Sequence, residues 1–381
     1  MNKVVIAMDS FKGCLTTEEA GKAAEAGIKA VFPDCETLLF PIADGGEGML
    51  DVLLSTTNGT YESLTVHGPL MEPVEGRYGL SGDGQTALIE MATVSGLPLV
   101  PREKRNPMLT TTYGTGELIL DALRRGCRKF IVGIGGSATN DAGLGMLQAL
   151  GFRFLDRDSN PLGTGGRVMS EVAAIDTSAV HPALKDAHFT IACDVENPFC
   201  GPAGAAYIFA PQKGADSDMV KELDAGMHSL AQVIRSVTGK KIADYPGAGA
   251  AGGMGGGFLA FLNAELKPGI RLMLEALDFE EKVKGADLVI TGEGQVDGQT
   301  AMGKVPSGIL KVAQKQNIPV IVIAGSIEDT EKMNRAGFQG VFSITPGPIS
   351  LEKAMQPEFA KANIRRTVSQ VCSAIRPFIT R

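Results

Sequence analysis

Acidic, hydroxyl and cationic residues recur in this chain beside tightly spaced glycines, a combination suited to binding anions and divalent cations. Glycine lets the main chain approach a ligand closely. Clustered N–H groups hold anions, and carboxylates hold Mg2+ or accept a proton. The first such segment, Asp9-Ser10-Phe11-Lys12-Gly13, offers one carboxylate, one hydroxyl and one cation. By itself it is equally an ordinary turn between a strand and a helix. The second, Asp44-Gly45-Gly46-Glu47-Gly48, sets two carboxylates among three glycines, more glycine than a turn with a capping Asp needs. The third is Gly133 to Asp141, GIGGSATND, where Gly135, Gly136, Ser137 and Asn140 could hold an anion at a helix start. Gly133, Gly135 and Ala138 also fit the dinucleotide spacing G-x-G-x-x-A, with Asp156 close to where a ribose-binding acid would lie.

The fourth segment is Asp194-Val195-Glu196-Asn197-Pro198. It makes Asp194 a candidate general base or metal ligand, or else forms an Asx-turn before Pro198. The fifth, Gly247 to Gly257, reads GAGAAGGMGGG and could cradle phosphates through residues such as Gly253 and Gly255, or act as a hinge. It lacks the Ser of a flexible linker and runs into an apolar helix. The sixth spans Thr291 to Lys304 and holds Gly292, Glu293, Gly294 and Asp297. Its G-x-x-x-x-G-K spacing is followed by Val305, so the Ser or Thr of a P-loop is missing. Lys304 could still reach a phosphate as a point charge.

Periodicity supplies the elements that must position these segments. Lys3–Met8 is a short β-branched run, the pattern of a buried strand. Thr16 and Glu19 form a capping box opening a helix that ends at Pro33. Glu36–Pro41 is a second strand, and this rhythm belongs to a parallel sheet. It returns near the C-terminus with strands at Asp287–Thr291, Pro319–Ala324 and Gly340–Ile344 and helices at Pro306–Gln316 and Glu358–Ile375. Between them Thr60–Glu90 alternates as a β-hairpin region does, before strands at Lys129–Gly133, Phe152–Leu155 and Phe189–Asp194. The expected fold class is α/β, with two α/β domains. A Rossmann-like parallel-sheet domain is formed by both chain ends, residues 1–61 and 283–381, and a second α/β domain, residues 62–282, is inserted into it.

Composition excludes several function classes. A length of 381 residues suits two domains. The net charge of -7, without a basic stripe, argues against nucleic acid and anionic membrane surfaces as partners. Trp is absent and aromatics are 6%, which removes the stacking platform of a single-strand binder. The six Cys are scattered, as reduced thiols in a cytoplasmic protein would be. The four His show no metal-ligand spacing. No apolar run is long enough for a membrane helix, and the N-terminus reads as a strand, not a signal peptide.

Taken together, the segments resemble the bacterial glycerate kinase family. The matching stretches are DSFKG at 9–13, PIADGGEG at 41–48, GIGGSATND at 133–141, CDVENP at 193–198, GAAGGMGGG at 249–257 and TGEGQVDGQTAMGK at 291–304. They follow the family's order over nearly the whole chain. Two departures are Ala142, where a second Gly is expected, and Met8, where Pro is common.

The resemblance implies phosphorylation of D-glycerate by ATP with Mg2+, the 2-phosphoglycerate product, a cytoplasmic setting and a site between the two domains. A homodimer is left open. We expect catalytic roles for Asp194 or its rival Asp297 as base, and for Lys12 or Lys304 as the cation facing a carboxylate or the γ-phosphate. Substrate contacts fall to Asp9, Ser10, Lys12, Asp44 and Asn197. Phosphate contacts fall to Gly135, Gly136, Ser137, Asn140, Gly253, Gly255, Gly292, Gly294 and Lys304, and metal ligation to Asp44, Glu47 or Glu293. Two other readings compete. One is an NAD-dependent oxidoreductase using Gly133, Gly135, Ala138 and Asp156; the other is a non-catalytic binder of small acids.

Overall fold

Val4–Met8 is buried along its whole length, as a strand covered on both faces must be. The capping box joining Thr16 to Glu19 then starts the helix Thr17–Lys29. This is a computed structural model that describes residues 1–42, 49–296 and 305–379. Among them the strands are, in chain order, β1 (Lys3–Met8), β2 (Glu36–Pro41), β3 (Thr60–His67), β4 (Pro73–Leu80), β5 (Thr86–Glu90), β6 (Lys129–Gly133), β7 (Arg153–Leu155), β8 (Ala174–Asp176), β9 (His188–Ala192), β10 (Ala264–Lys267), β11 (Leu288–Val296), β12 (Val320–Ile327) and β13 (Gly340–Ser343). The chain divides into two units, Met1–Asp44 with Ile270–Arg381, and Gly45–Gly269.

The unit formed by both chain ends holds a parallel sheet in the order β13-β12-β11-β1-β2. From β1 the chain winds outward to β2; from β11 it winds the other way, to β12 and β13. The reversal between β1 and β11 is a topological switch point, where open α/β sheets bind ligands beyond the carboxyl ends of their strands. Val4, Ile6, Ile290 and Ile323 share one buried cluster with Ala24, Ile28, Ile364 and Val368. The last two lie on the helix Pro357–Ile379, so this helix and Thr17–Lys29 cover one face of the sheet.

The other unit carries a sheet in the order β10-β9-β6-β5-β4-β3, antiparallel from β3 to β5 and parallel from β5 to β10. Stacked rings of Phe130 and Phe189, 4.6 Å apart, join β6 to β9 in its core. Strands β7 and β8 form a separate antiparallel ribbon.

The unit boundaries differ from the expected 61/62 and 282/283. The helix Met49–Thr57 goes with the second unit because Leu50 and Leu54 pack on it: a Cβ built on Gly79 of β4 would stand 2.7 Å from both side chains. The Leu50 N–H also donates to Glu90 Oε1 at 3.0 Å. On the other side, Ile270 lies against Gly308 and Phe279 packs edge-on to Phe40 at 5.0 Å, so this segment joins the first unit.

Candidate active site

At the switch point the ends of β1 and β11 bring together Asp9, Ser10, Lys12, Gly292, Glu293 and Gly294. The Asp9 N–H donates to the Gly292 carbonyl at 2.8 Å, and the Ser10 N–H donates to Asp9 Oδ1 at 2.6 Å. A Cβ built on Gly294 would lie 3.6 Å from the Lys12 nitrogen, so the end of β11 runs past the Phe11–Lys12 backbone. Asp9 and Glu293 are buried and Lys12 is exposed. Gly292 and Gly294 belong to strand β11, not to the loop expected there. In that strand Gly292 meets a packing demand: a Cβ would fall 2.1 Å from the Ile323 carbonyl on β12. The expected sites Asp44, Glu47, Asp297 and Lys304 lie outside the described residues. Among the described residues no group of three His, Cys, Asp or Glu could by itself hold a metal ion.

In the second unit the parallel strands β5, β6, β9 and β10 end along one edge, with Glu90 paired to Gly133 and Gly133 to Ala192. The segment after β6 is a loop down to Gly143, and its helix starts only at Leu144. Gly135–Ser137 therefore do not sit at a helix start, as the sequence had suggested. Gly135 and Gly136 are exposed, and among the described residues the N–H groups of Gly135, Gly136 and Ser137 have no hydrogen-bond partner. They are available to an anion. Asn140, by contrast, is fully buried, with Nδ2 turned to Met227 Sδ at 3.4 Å. Its side chain is withdrawn from the surface where a phosphate would arrive.

Beneath this loop lies a polar layer that sequence reasoning missed. The Asp141 carboxylate accepts from the Thr112 N–H (2.8 Å), the Thr112 hydroxyl (2.9 Å), the Gly143 N–H (3.1 Å) and the Gly145 N–H (3.2 Å). Burial pushes its pKa up while those donors pull it down. Lys213, 2% exposed, donates from Nζ to Ser137 Oγ at 2.7 Å and to the Thr139 carbonyl at 2.6 Å. Burial lowers its pKa to about 7, against the pull of Asp141. Among the described residues Thr139 Oγ1 and Asn140 Oδ1 are buried without a hydrogen-bond partner. Each such group costs about 1–3 kcal/mol. No local signal marks Lys213, since a Lys in a Pro-Gln-Lys-Gly turn is ordinarily solvated.

Asp194 follows β9, is exposed, and accepts the Gly269 N–H at 2.8 Å. Asn197 donates from Nδ2 to the Ala203 carbonyl at 2.9 Å, while its own carbonyl accepts the Gly249 N–H. The glycine-rich stretch after it is not an open cradle. It enters the helix Ala250–Phe261, with left-handed backbone at Ala251, Gly252 and Gly253. The Gly253 N–H donates to the Gly249 carbonyl, and a Cβ there would press on Met227 and Phe199. A Cβ on Gly255 would stand 2.5 Å from the Gly247 carbonyl. Close packing accounts for these glycines without a ligand. Ala142, in a left-handed conformation (φ 53°), donates its N–H to the Gly252 carbonyl at 3.0 Å. The strain of about 1–2 kcal/mol is offset in part by burial of its methyl, about 0.8 kcal/mol.

The dinucleotide spacing has no matching architecture. Asp156 follows β7, which pairs with β8 and not with the main sheet. Its carboxylate accepts the N–H groups of Asp158 and Asn160 and so closes a turn. Asp156 therefore does not follow a strand of the parallel sheet, as a ribose acid does.

Comparison with known proteins agrees with the kinase reading. The glycerate kinase family model matches residues 4–376. A glycerate kinase from Bacillus subtilis (strain 168) is 48% identical over 98% of both chains. A glycerate 2-kinase from Escherichia coli (strain K12) is 47% identical over 96% of this chain and 98% of its own. A crystal structure assigned as glycerate kinase 2 from Salmonella typhimurium LT2 superposes with a TM-score of 0.90 at 43% identity, covering 100% of both chains. The chain therefore belongs to the glycerate kinase family and is a phosphotransferase that uses ATP on a small-molecule substrate.

Proposed function

We propose that the enzyme transfers the γ-phosphoryl group of Mg-ATP to the 2-hydroxyl of D-glycerate, giving 2-phosphoglycerate. The observation that carries this reading is the family match over residues 4–376; the choice of hydroxyl follows the relative named a glycerate 2-kinase.

Phosphoryl transfer asks a protein mainly to position the partners and to stabilise charge. The N–H groups of Gly135, Gly136 and Ser137 receive phosphate oxygens. Asp9, Ser10 and Asn197, with Asp44, orient glycerate. Lys12 offers its cation to the substrate carboxylate or the γ-phosphate, and Lys304 is its rival. Asp194 takes the proton of the attacking hydroxyl, with Asp297 as the alternative base. Gly253, Gly255 and Gly292 receive no phosphate role, because packing already requires glycine there. Mg2+ is held by one or two carboxylates together with substrate phosphates, and a buried carboxylate on β11, just beyond its pairing with β1, fits that need. Glu293, Asp44 or Glu47 would hold the ion, which when bound neutralises charge on the phosphates.

The test is ADP release with D-glycerate as acceptor. Release is expected to require both D-glycerate and Mg2+, to stop on adding EDTA, and to occur without reduction of NAD+. ADP release indifferent to glycerate or to EDTA would overturn the reading.

A further inference from the structure

We infer that Lys213 is a positioning residue for nucleotide binding, holding the Gly135–Ser137 backbone in the shape that receives phosphate. The inference rests on the reading of that loop as the phosphate site. Three observations carry it. Nζ reaches two points of one loop, Ser137 Oγ at 2.7 Å and the Thr139 carbonyl at 2.6 Å, so it fixes the segment at both ends of Ala138. The side chain is 2% exposed, so it acts from beneath and is not itself offered to solvent. Gly135 and Gly136 are exposed and their N–H groups have no partner among the described residues, so their direction depends on what anchors the chain just after them.

A buried ammonium carries a desolvation cost that well-made hydrogen bonds must offset, and both hydrogen bonds of Lys213 go to the Ser137–Thr139 segment. Asp141 is the charged group that faces Lys213 among the described residues. Phosphate arriving above the loop adds negative charge and so favours the protonated lysine. Because burial has brought the lysine pKa to about 7, it is protonated below that pH and neutral above it. ATP should bind more weakly as pH rises through this point.

The experiment compares Lys213→Met, Ser137→Ala, the double variant and Gly135→Val. Gly135→Val adds bulk to the exposed loop at a residue other than the two that Lys213 holds. In Lys213→Met the KM for ATP is expected to rise about tenfold, with kcat and the KM for glycerate changed less than about threefold. The pH-dependent rise of KM for ATP above about 7 should vanish in the variant. The effect should be non-additive with Ser137→Ala, since both remove the contact between Nζ and Ser137 Oγ. An unchanged KM for ATP in folded Lys213→Met, while Gly135→Val raises it, removes Lys213 and leaves the phosphate loop standing. Unchanged KM in Gly135→Val as well removes the loop itself. Should Lys213→Met fail to fold, Ser137→Ala decides: an unaltered KM and an unaltered pH limb overturn the inference.

Discussion

Asp194→Asn is expected to lower kcat by roughly a hundredfold or more, the usual contribution of a positioned base, while the protein stays folded. The asparagine Oδ1 can still accept the Gly269 N–H that Asp194 receives at 2.8 Å. The asparagine has no capacity to take a proton. The KM for ATP should barely move, because a base acts on the transition state and not on nucleotide binding. Steady-state kinetics with thermal melting of the same sample separates the two effects. Turnover near that of the parent enzyme, in a protein of unchanged melting temperature, would transfer the role to Asp297.

Gly252→Ala should be among the most destabilising single changes available in the second unit. The residue has φ +67°, and a Cβ would fall 2.1 Å from the Thr139 carbonyl. Left-handed strain alone costs about 1–2 kcal/mol. The clash is with backbone, so relief requires moving the loop, and the total should reach about 3 kcal/mol or more. For a unit of this size that is a fall in Tm of roughly 10 °C. Gly239→Ala is the control, since φ is +73° there but nothing lies within 4 Å of the added methyl. It should show only the strain. Equal melting temperatures for the two variants would mean that the contact at Thr139 yields easily. The same carbonyl accepts from Lys213 Nζ, so Gly252→Ala should also weaken ATP binding.

The sheet framework was readable from local pattern. β1, β2 and β6 begin and end where the sequence places strands, at Lys3–Met8, Glu36–Pro41 and Lys129–Gly133. The capping box at Thr16 and Glu19 located its helix through hydrogen bonds between near neighbours. Glycine misled the reading where its reason is tertiary. Gly292 and Gly294 look like strand breakers, yet β11 runs on to Val296 because β12 pairs with it in parallel as far as Ile327. The glycines at 252–257 look like a cradle, yet they let a helix approach Phe199 and the Thr139–Ala142 backbone. The position of Asp9, Ser10 and Lys12 directly after β1 was legible because Lys3–Met8 reads as a buried strand. Lys213 was not, because its neighbours in the sequence are not its neighbours in the fold. The unit boundary was misplaced for the same reason: Leu50 and Leu54 carry no mark of which sheet they cover.

The most direct test of the account is the product itself. The enzyme is incubated with Mg-ATP and D-glycerate, and the new phosphoester is read by proton-coupled phosphorus NMR. Phosphate on the 2-oxygen sits beside one carbon-bound hydrogen and gives a doublet, whereas phosphate on the 3-oxygen sits beside two and gives a triplet. A doublet accompanied by an equal amount of ADP is the expected result. A triplet would contradict the choice of hydroxyl, and ADP without any glycerate phosphoester would contradict the assignment of substrate.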